Sequence, residues 1–219
     1  MKGANFNHRS SMEQEQRLVE VCRTLDVNFN RLIELPKGEQ EFEWIAYHMS
    51  LFFKHTKRLS AVTSSFCTAI TCPSMSISED KDVVVRVVET EEGNCDDLDC
   101  SDISTSTPEE GHSMSALEYT DSVLSWYINN LRDPELFPVE SAHQYPEDFK
   151  ARCRHMLRRL LHIYFHIYFN HFGIVFRHFL LYYNTSFRYM VEFGMRYDIL
   201  RDEDLLPMTA AIKYWRSAA

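Results

Sequence analysis

The chain has 219 residues, 45% hydrophobic and 13% aromatic, enough to bury one large core, and its formal net charge is −9. That acidity argues against nucleic acid as the main partner and favours a basic protein surface. The most apolar run, Leu160 to Tyr183, is interrupted by His162, His166, Asn170, His171, Arg177 and His178. It therefore reads as a buried core helix and not as a membrane span.

Taken in chain order, residues 1–15 are polar and read as a disordered tail. They lack the apolar stretch of a signal peptide, so a cytoplasmic protein, or one also nuclear, is expected. The six cysteines, at 22, 67, 72, 95, 100 and 153, should then be reduced thiols, and a cysteine pair in that setting points to metal more often than to a disulfide. Residues 16–34 place Leu18, Val21, Cys22 and Leu25 at helical spacing. Pro36 and Gly38 punctuate, and Glu39 to Phe66 predicts one or two helices. Trp44, Tyr47, Leu51, Phe52 and His55 form a stripe there that reads as core. Glu41 and Glu43 place negative charge where the helix dipole favours it.

The character then changes. VVVRVV at 83–88 is β-branched and predicts a short strand. Residues 89–113 are acidic and rich in Ser and Thr, which predicts a mobile insert. Cys95 and Cys100 within it have no apolar neighbours that could fix a metal site. Helices resume over 116–133, with Leu117, Val123, Leu124, Tyr127 and Leu131 on one stripe. DPELFP follows as a turn. Residues 146–183 predict a helical hairpin or a bent helix, Asn184, Thr185 and Ser186 a new N-cap, and two further helices close the chain. The fold class is mainly α with one short β element.

Two ligand pairs stand out: Cys67 and Cys72 in FCTAITCP, and His166 and His171 in HIYFHIYFNHF. Two thiolates and two imidazoles complete a tetrahedral zinc set with no position left for an activated water, which is the signature of a structural site. Helix geometry leaves the second imidazole open. At ~100° per residue, positions five apart point ~140° apart, whereas His162 and His166 share a face. Either His162 is the ligand, or the helix is distorted near His171, as by a π-bulge, with Gly173 relaxing the turn.

ELPKGEQEFEWIAYHMSLFF, SSFCTAITCPSMS, ELFP, RRLLHIYFHIYFNHF and NTSFRYMVEFGMRYDILRDEDLLPM occur in the order seen in the Mob (Mob/phocein) kinase-activator family, and the resemblance covers most of residues 34–212. It implies a Mob-like helical bundle over 16–219, clasped by one structural Zn²⁺. Carried over by position, the ligands fall on Cys67, Cys72, His166 and His171. The resemblance also implies a non-enzymatic adaptor that binds the basic N-terminal segment of an NDR/LATS-type AGC kinase and activates it. The docking residues would be Glu39, Glu43 and Trp44, and opposite charge would steer the encounter. A phosphopeptide-binding cluster, for a phosphorylated upstream kinase or scaffold, falls on Arg158 and Arg159, with His162 where a third basic residue is expected. The chain departs from the family after Cys72, where SISEDKDVVVRVV and the acidic insert replace an aromatic hairpin, which marks a divergent member.

The alternative function is a phosphopeptide-binding scaffold subunit of a phosphatase–kinase assembly, as for phocein-like members. A zinc hydrolase is disfavoured, because the stretch from His166 to His171 contains no Glu to serve as the general base of an HExxH site.

Overall fold

A computed structural model of the chain describes residues 19–20, 23–77, 85, 114–139 and 144–217. The expected N-terminal tail, nearly all of the 83–88 strand and the 89–113 insert, with Cys95 and Cys100, lie outside the described residues. The architecture is helical: α1 (Phe29–Leu32), α2 (Glu41–Thr63), α3 (Ala116–Arg132), α4 (Phe149–His178), α5 (Leu180–Arg196), a 3₁₀ segment (Asp202–Met208) and α6 (Thr209–Ser217). Among the described residues the only β feature is a lone bridge at Ser76, beside a hydrogen bond from Val85 N to Met75 O of 2.9 Å. No helix among them is long and apolar enough to cross a membrane.

The long α4 packs against α2, α3, α5 and the 3₁₀ segment. Its central turns, from Leu157 to Ile167, are buried on nearly every face, with Arg159, His162 and His166 among the buried side chains. α2 buries Ile45, His48, Met49, Phe52, Thr56, Leu59 and Thr63, a stripe at spacings of three and four that faces the core. The expected stripe through Trp44 and Tyr47 lies to one side of it, and Tyr47 is exposed. α3 opens on a capping box, Ser115 with Glu118. Its first amide, Ala116 N, bonds Cys72 O at 3.0 Å, which ties the helix start to the cysteine loop.

Two local expectations change. Residues 23–28 carry no helix, and Asn28 caps only the single turn of α1 by accepting from Arg31 N. The 146–183 stretch keeps its expected bend: α4 ends at His178, Phe179 breaks the helix and α5 starts at Leu180. Asn184, Thr185 and Ser186 are therefore not an N-cap but lie within α5. Their side chains are used elsewhere: Asn184 Nδ2 donates to Glu20 O at 2.8 Å and Arg23 O at 2.7 Å, and Thr185 Oγ1 accepts from Leu25 N at 2.8 Å. Asn184 and Thr185 thus fasten the N-terminal segment across α5, while Ser186 accepts from the Tyr164 hydroxyl of α4 at 3.1 Å.

Candidate functional site

The two ligand pairs converge. Cys67 and Cys72 sit on the loop after α2, and His166 and His171 on α4, with one ligand atom from each within 4.8 Å of all the others. Cys67 Sγ is 3.4 Å from His166 Nε2, and Cys72 Sγ is 3.2 Å from His171 Nε2. Zinc–sulfur and zinc–nitrogen bond lengths give tetrahedral edges of roughly 3.3–3.8 Å, close to these two distances, and the four donors form a set that could hold one cation. All four side chains are buried.

The loop is braced before any metal arrives. Cys67 N bonds Thr63 O at 2.8 Å and Cys72 N bonds Thr68 O at 2.8 Å. Thr71 Oγ1 donates to Phe66 O at 2.8 Å and accepts from Thr68 N at 2.9 Å. α4 stays α-helical through both histidines, so the question of reach is answered without a π-bulge. The two rings meet edge to face with their centroids 5.2 Å apart.

The histidine tautomer is set as a metal requires. His166 Nδ1 lies 2.8 Å from Ser76 O. A carbonyl only accepts, so Nδ1 carries the proton and the Nε2 lone pair faces the thiols. Asn170 Nδ2 donates to the same carbonyl at 3.1 Å and to His166 O at 3.1 Å. Burial lowers the pKa of His166, and that of His171 to about 4, so both imidazoles stay neutral and able to coordinate. Burial, and then the neighbouring Cys72, pushes the Cys67 thiol up to about 12. A bound dication would reverse that balance, since thiolates are stable here only against a positive charge.

His162 is not in this cluster. Its Nδ1 is 2.8 Å from the Tyr119 hydroxyl, and burial, reinforced by Arg158 and Arg159, lowers its pKa to about 3. It is neutral and buried at neutral pH, at the position where the resemblance puts a third basic residue. Its neighbours are also engaged. Arg159 is buried, its guanidinium 3.8 Å from the Trp126 ring centroid. Arg158 Nε is 2.9 Å from Asp204 Oδ1, and Arg154 Nε is 2.9 Å from Asp204 Oδ2. Asp204 also accepts from Arg201 N at 2.8 Å. A buried carboxylate thus already lies between two arginines of α4.

The acidic–aromatic group is differently placed. Glu39 and Glu43 are exposed at the start of α2, and Trp44 is half-buried. Trp44 Nε1 donates to Ile33 O at 3.3 Å. Tyr47 stacks on Trp44 at 5.6 Å with its own ring 54% exposed. Sequence reasoning assigned Tyr47 to the core. The signal it missed is register: Tyr47 falls off the face marked by Ile45, His48, Met49 and Phe52.

The sequence profile of the Mob1/phocein family matches residues 22–208. The chain is 30% identical over 177 residues to "Maintenance of ploidy protein mob1" of Schizosaccharomyces pombe, covering 80% of this chain and 76% of that protein. It is 27% identical over 198 residues to "DBF2 kinase activator protein MOB1" of Saccharomyces cerevisiae, covering 88% of this chain and 56% of that protein. It is 25% identical over 183 residues to "MOB kinase activator-like 3" of Drosophila melanogaster, covering 83% of this chain and 76% of that protein. The chain belongs to the Mob1/phocein family.

Proposed function

We propose that this chain is a non-catalytic adaptor that binds and activates a protein kinase of the NDR/LATS type, with one structural Zn²⁺ holding its fold together. Membership of a family whose relatives are named kinase activators supports the general reading. The observation that carries the finer one is the group formed by Glu39, just ahead of α2, and Glu43, Trp44 and Tyr47 on its first turns, all exposed but the half-buried Trp44. Two carboxylates beside two stacked aromatic rings suit a basic helical segment with an apolar stripe. Zn²⁺ is favoured by two thiols and two Nε2 atoms in a closed, buried, four-donor set. When bound, it would join the post-α2 loop to α4 and leave no open position for a substrate. A cytoplasmic, and also nuclear, location suits the three described cysteines, all free thiols.

The test is titration of the basic N-terminal segment of an NDR/LATS-type kinase, read by fluorescence anisotropy at two salt concentrations. The wild-type chain should bind more weakly as salt rises. Glu39→Lys with Glu43→Lys should bind at least tenfold more weakly and lose most of the salt dependence. Equal binding by that variant would reject the docking face.

The phosphopeptide reading, with its phosphatase–kinase scaffold, rests on Arg158 and Arg159. It requires Arg158 to leave Asp204 and Arg159 to leave Trp126, and His162 would contribute no charge. We therefore rank it second.

A further inference from the structure

The indole of Trp44 is held from behind by a single backbone oxygen. Its Nε1 donates to Ile33 O at 3.3 Å, and the same carbonyl accepts from the Tyr197 hydroxyl at 2.6 Å. The residue after α1, the first turn of α2 and the residue after α5 thus meet at one atom. Ile33 and Tyr197 are both buried.

Packed rings join the same two residues a second way. The Tyr197 ring lies 4.5 Å from Phe193, Phe193 stacks 4.1 Å from His48, and His48 meets Trp44 edge-on at 4.2 Å. His48 Nδ1 also lies 2.8 Å from Trp44 O. Trp44 in turn carries the exposed ring of Tyr47, stacked on it at 5.6 Å. The weak member of this assembly is α1, a single turn of four residues. So short a helix cannot fix its own end, so tertiary bonds must hold Ile33 O, and the shorter of the two comes from Tyr197. An indole N–H only donates. With that donor spent on Ile33 O, Trp44 offers a partner its ring surface and no polar handle.

We propose that Tyr197 is a positioning residue of the docking face: by holding Ile33 O it sets the plane of Trp44, and with it the Tyr47 ring that a kinase segment covers. This role rests on the docking of such a segment at Glu39, Glu43, Trp44 and Tyr47. It assigns to that face a residue 164 positions from Ile33 in the chain. The contribution is uncharged, so it acts on the fit of the aromatic pair and not on electrostatic steering.

The experiment uses the full, metal-loaded chain and the basic N-terminal segment of an NDR/LATS-type kinase, titrated by anisotropy at two salt concentrations. The variants are Tyr197→Phe, Trp44→Phe, the two combined, and Tyr127→Phe. Tyr127 is the control, because its buried hydroxyl also donates to a backbone carbonyl of α2, Met49 O, at 3.1 Å. Tyr197→Phe should bind about three- to tenfold more weakly, the scale of one lost hydrogen bond, with the salt dependence of the wild type. Added to Trp44→Phe, it should weaken binding no further, since the indole it orients is gone. Tyr127→Phe should bind as the wild type does. In the free chain, the indole N–H NMR signal of Trp44 should shift in Tyr197→Phe and stay in place in Tyr127→Phe. Unchanged affinity of Tyr197→Phe, an equal loss in Tyr127→Phe, or full additivity with Trp44→Phe would overturn the assignment. Absence of binding by the wild-type chain would reject the docking reading itself. The indole signal tests positioning without any partner, and its failure to move in Tyr197→Phe would overturn that role.

Discussion

At the scale of single residues, the candidate metal site is braced by a side chain that is not one of its four donors. Asn170 holds the Ser76 carbonyl to which His166 donates, so it acts on the orientation of His166 and not on the ion. Asn170→Ala should leave the metal stoichiometry at one but speed loss of metal to a chelator by about 10- to 100-fold. An unchanged release rate would show that Ser76 holds the ring unaided. His48 makes a different prediction. It is buried, its ring stacked 4.1 Å from that of Phe193, and burial lowers its pKa from 6.5 to about 4. Between those values the unfolded chain binds a proton that the native chain refuses. Stability from this group is therefore complete above pH 6.5 and lost as pH falls towards 4, at about 1.4 kcal/mol per pH unit at its steepest. Denaturant unfolding at pH 7.5, 6 and 5 should show this decline, and His48→Phe should make it shallower, leaving the share of the buried His162, His166 and His171. An equally steep decline in that variant would assign the acid sensitivity to other groups.

At the scale of elements, two glycines in helices separate backbone need from accident. A Cβ on Gly194 would lie 2.5 Å from Leu200 Cδ1 and 2.6 Å from its Cγ. Leu200 is buried, and its amide and that of Ile199 both bond Gly194 O at 2.9 Å, so the turn after α5 cannot open to make room. Gly194→Ala should cost about 1–3 kcal/mol. A Cβ on Gly173 would meet nothing within 4 Å, and the residue is exposed in α4. Gly173→Ala should therefore raise stability by about 0.5–1 kcal/mol, read as a small rise in melting temperature; a fall would mean that α4 needs flexibility beside His171. The helices themselves were legible in the sequence wherever apolar residues recur at three and four. α3 began where its Ser115–Glu118 pattern allowed, and α2 and α4 fell where their apolar content put them. What spacing could not convey was the orientation of each face. Tyr47 looked like core because Trp44, Tyr47 and Leu51 also fit a helical stripe, and only packing against α4 and α5 chose the neighbouring one. Likewise NTSF looked like a cap because Asn, Thr and Ser favour caps, whereas here Asn184 and Thr185 bond Glu20, Arg23 and Leu25 from within a helix.

At the scale of the whole molecule, the four candidate metal donors join segments about a hundred residues apart in the chain. Their residue types were legible because paired Cys and His are rare in such spacing. The choice of His171 over His162 was not legible from spacing alone, because it depends on where the cysteine loop docks along α4. Since metal binding and folding are coupled at such a clasp, the natively purified chain should contain one zinc, and Cys67→Ser should lose it along with a large part of its thermal stability. Metal analysis without zinc would contradict the assignment. The measurement that bears most directly on function is the phosphotransfer rate of an NDR/LATS-type kinase with and without this chain. We expect the wild-type chain to stimulate it severalfold or more, and the Glu39→Lys, Glu43→Lys variant, folded and metal-loaded, to leave it near the basal rate. No stimulation by the wild-type chain, or equal stimulation by the variant, would contradict the account.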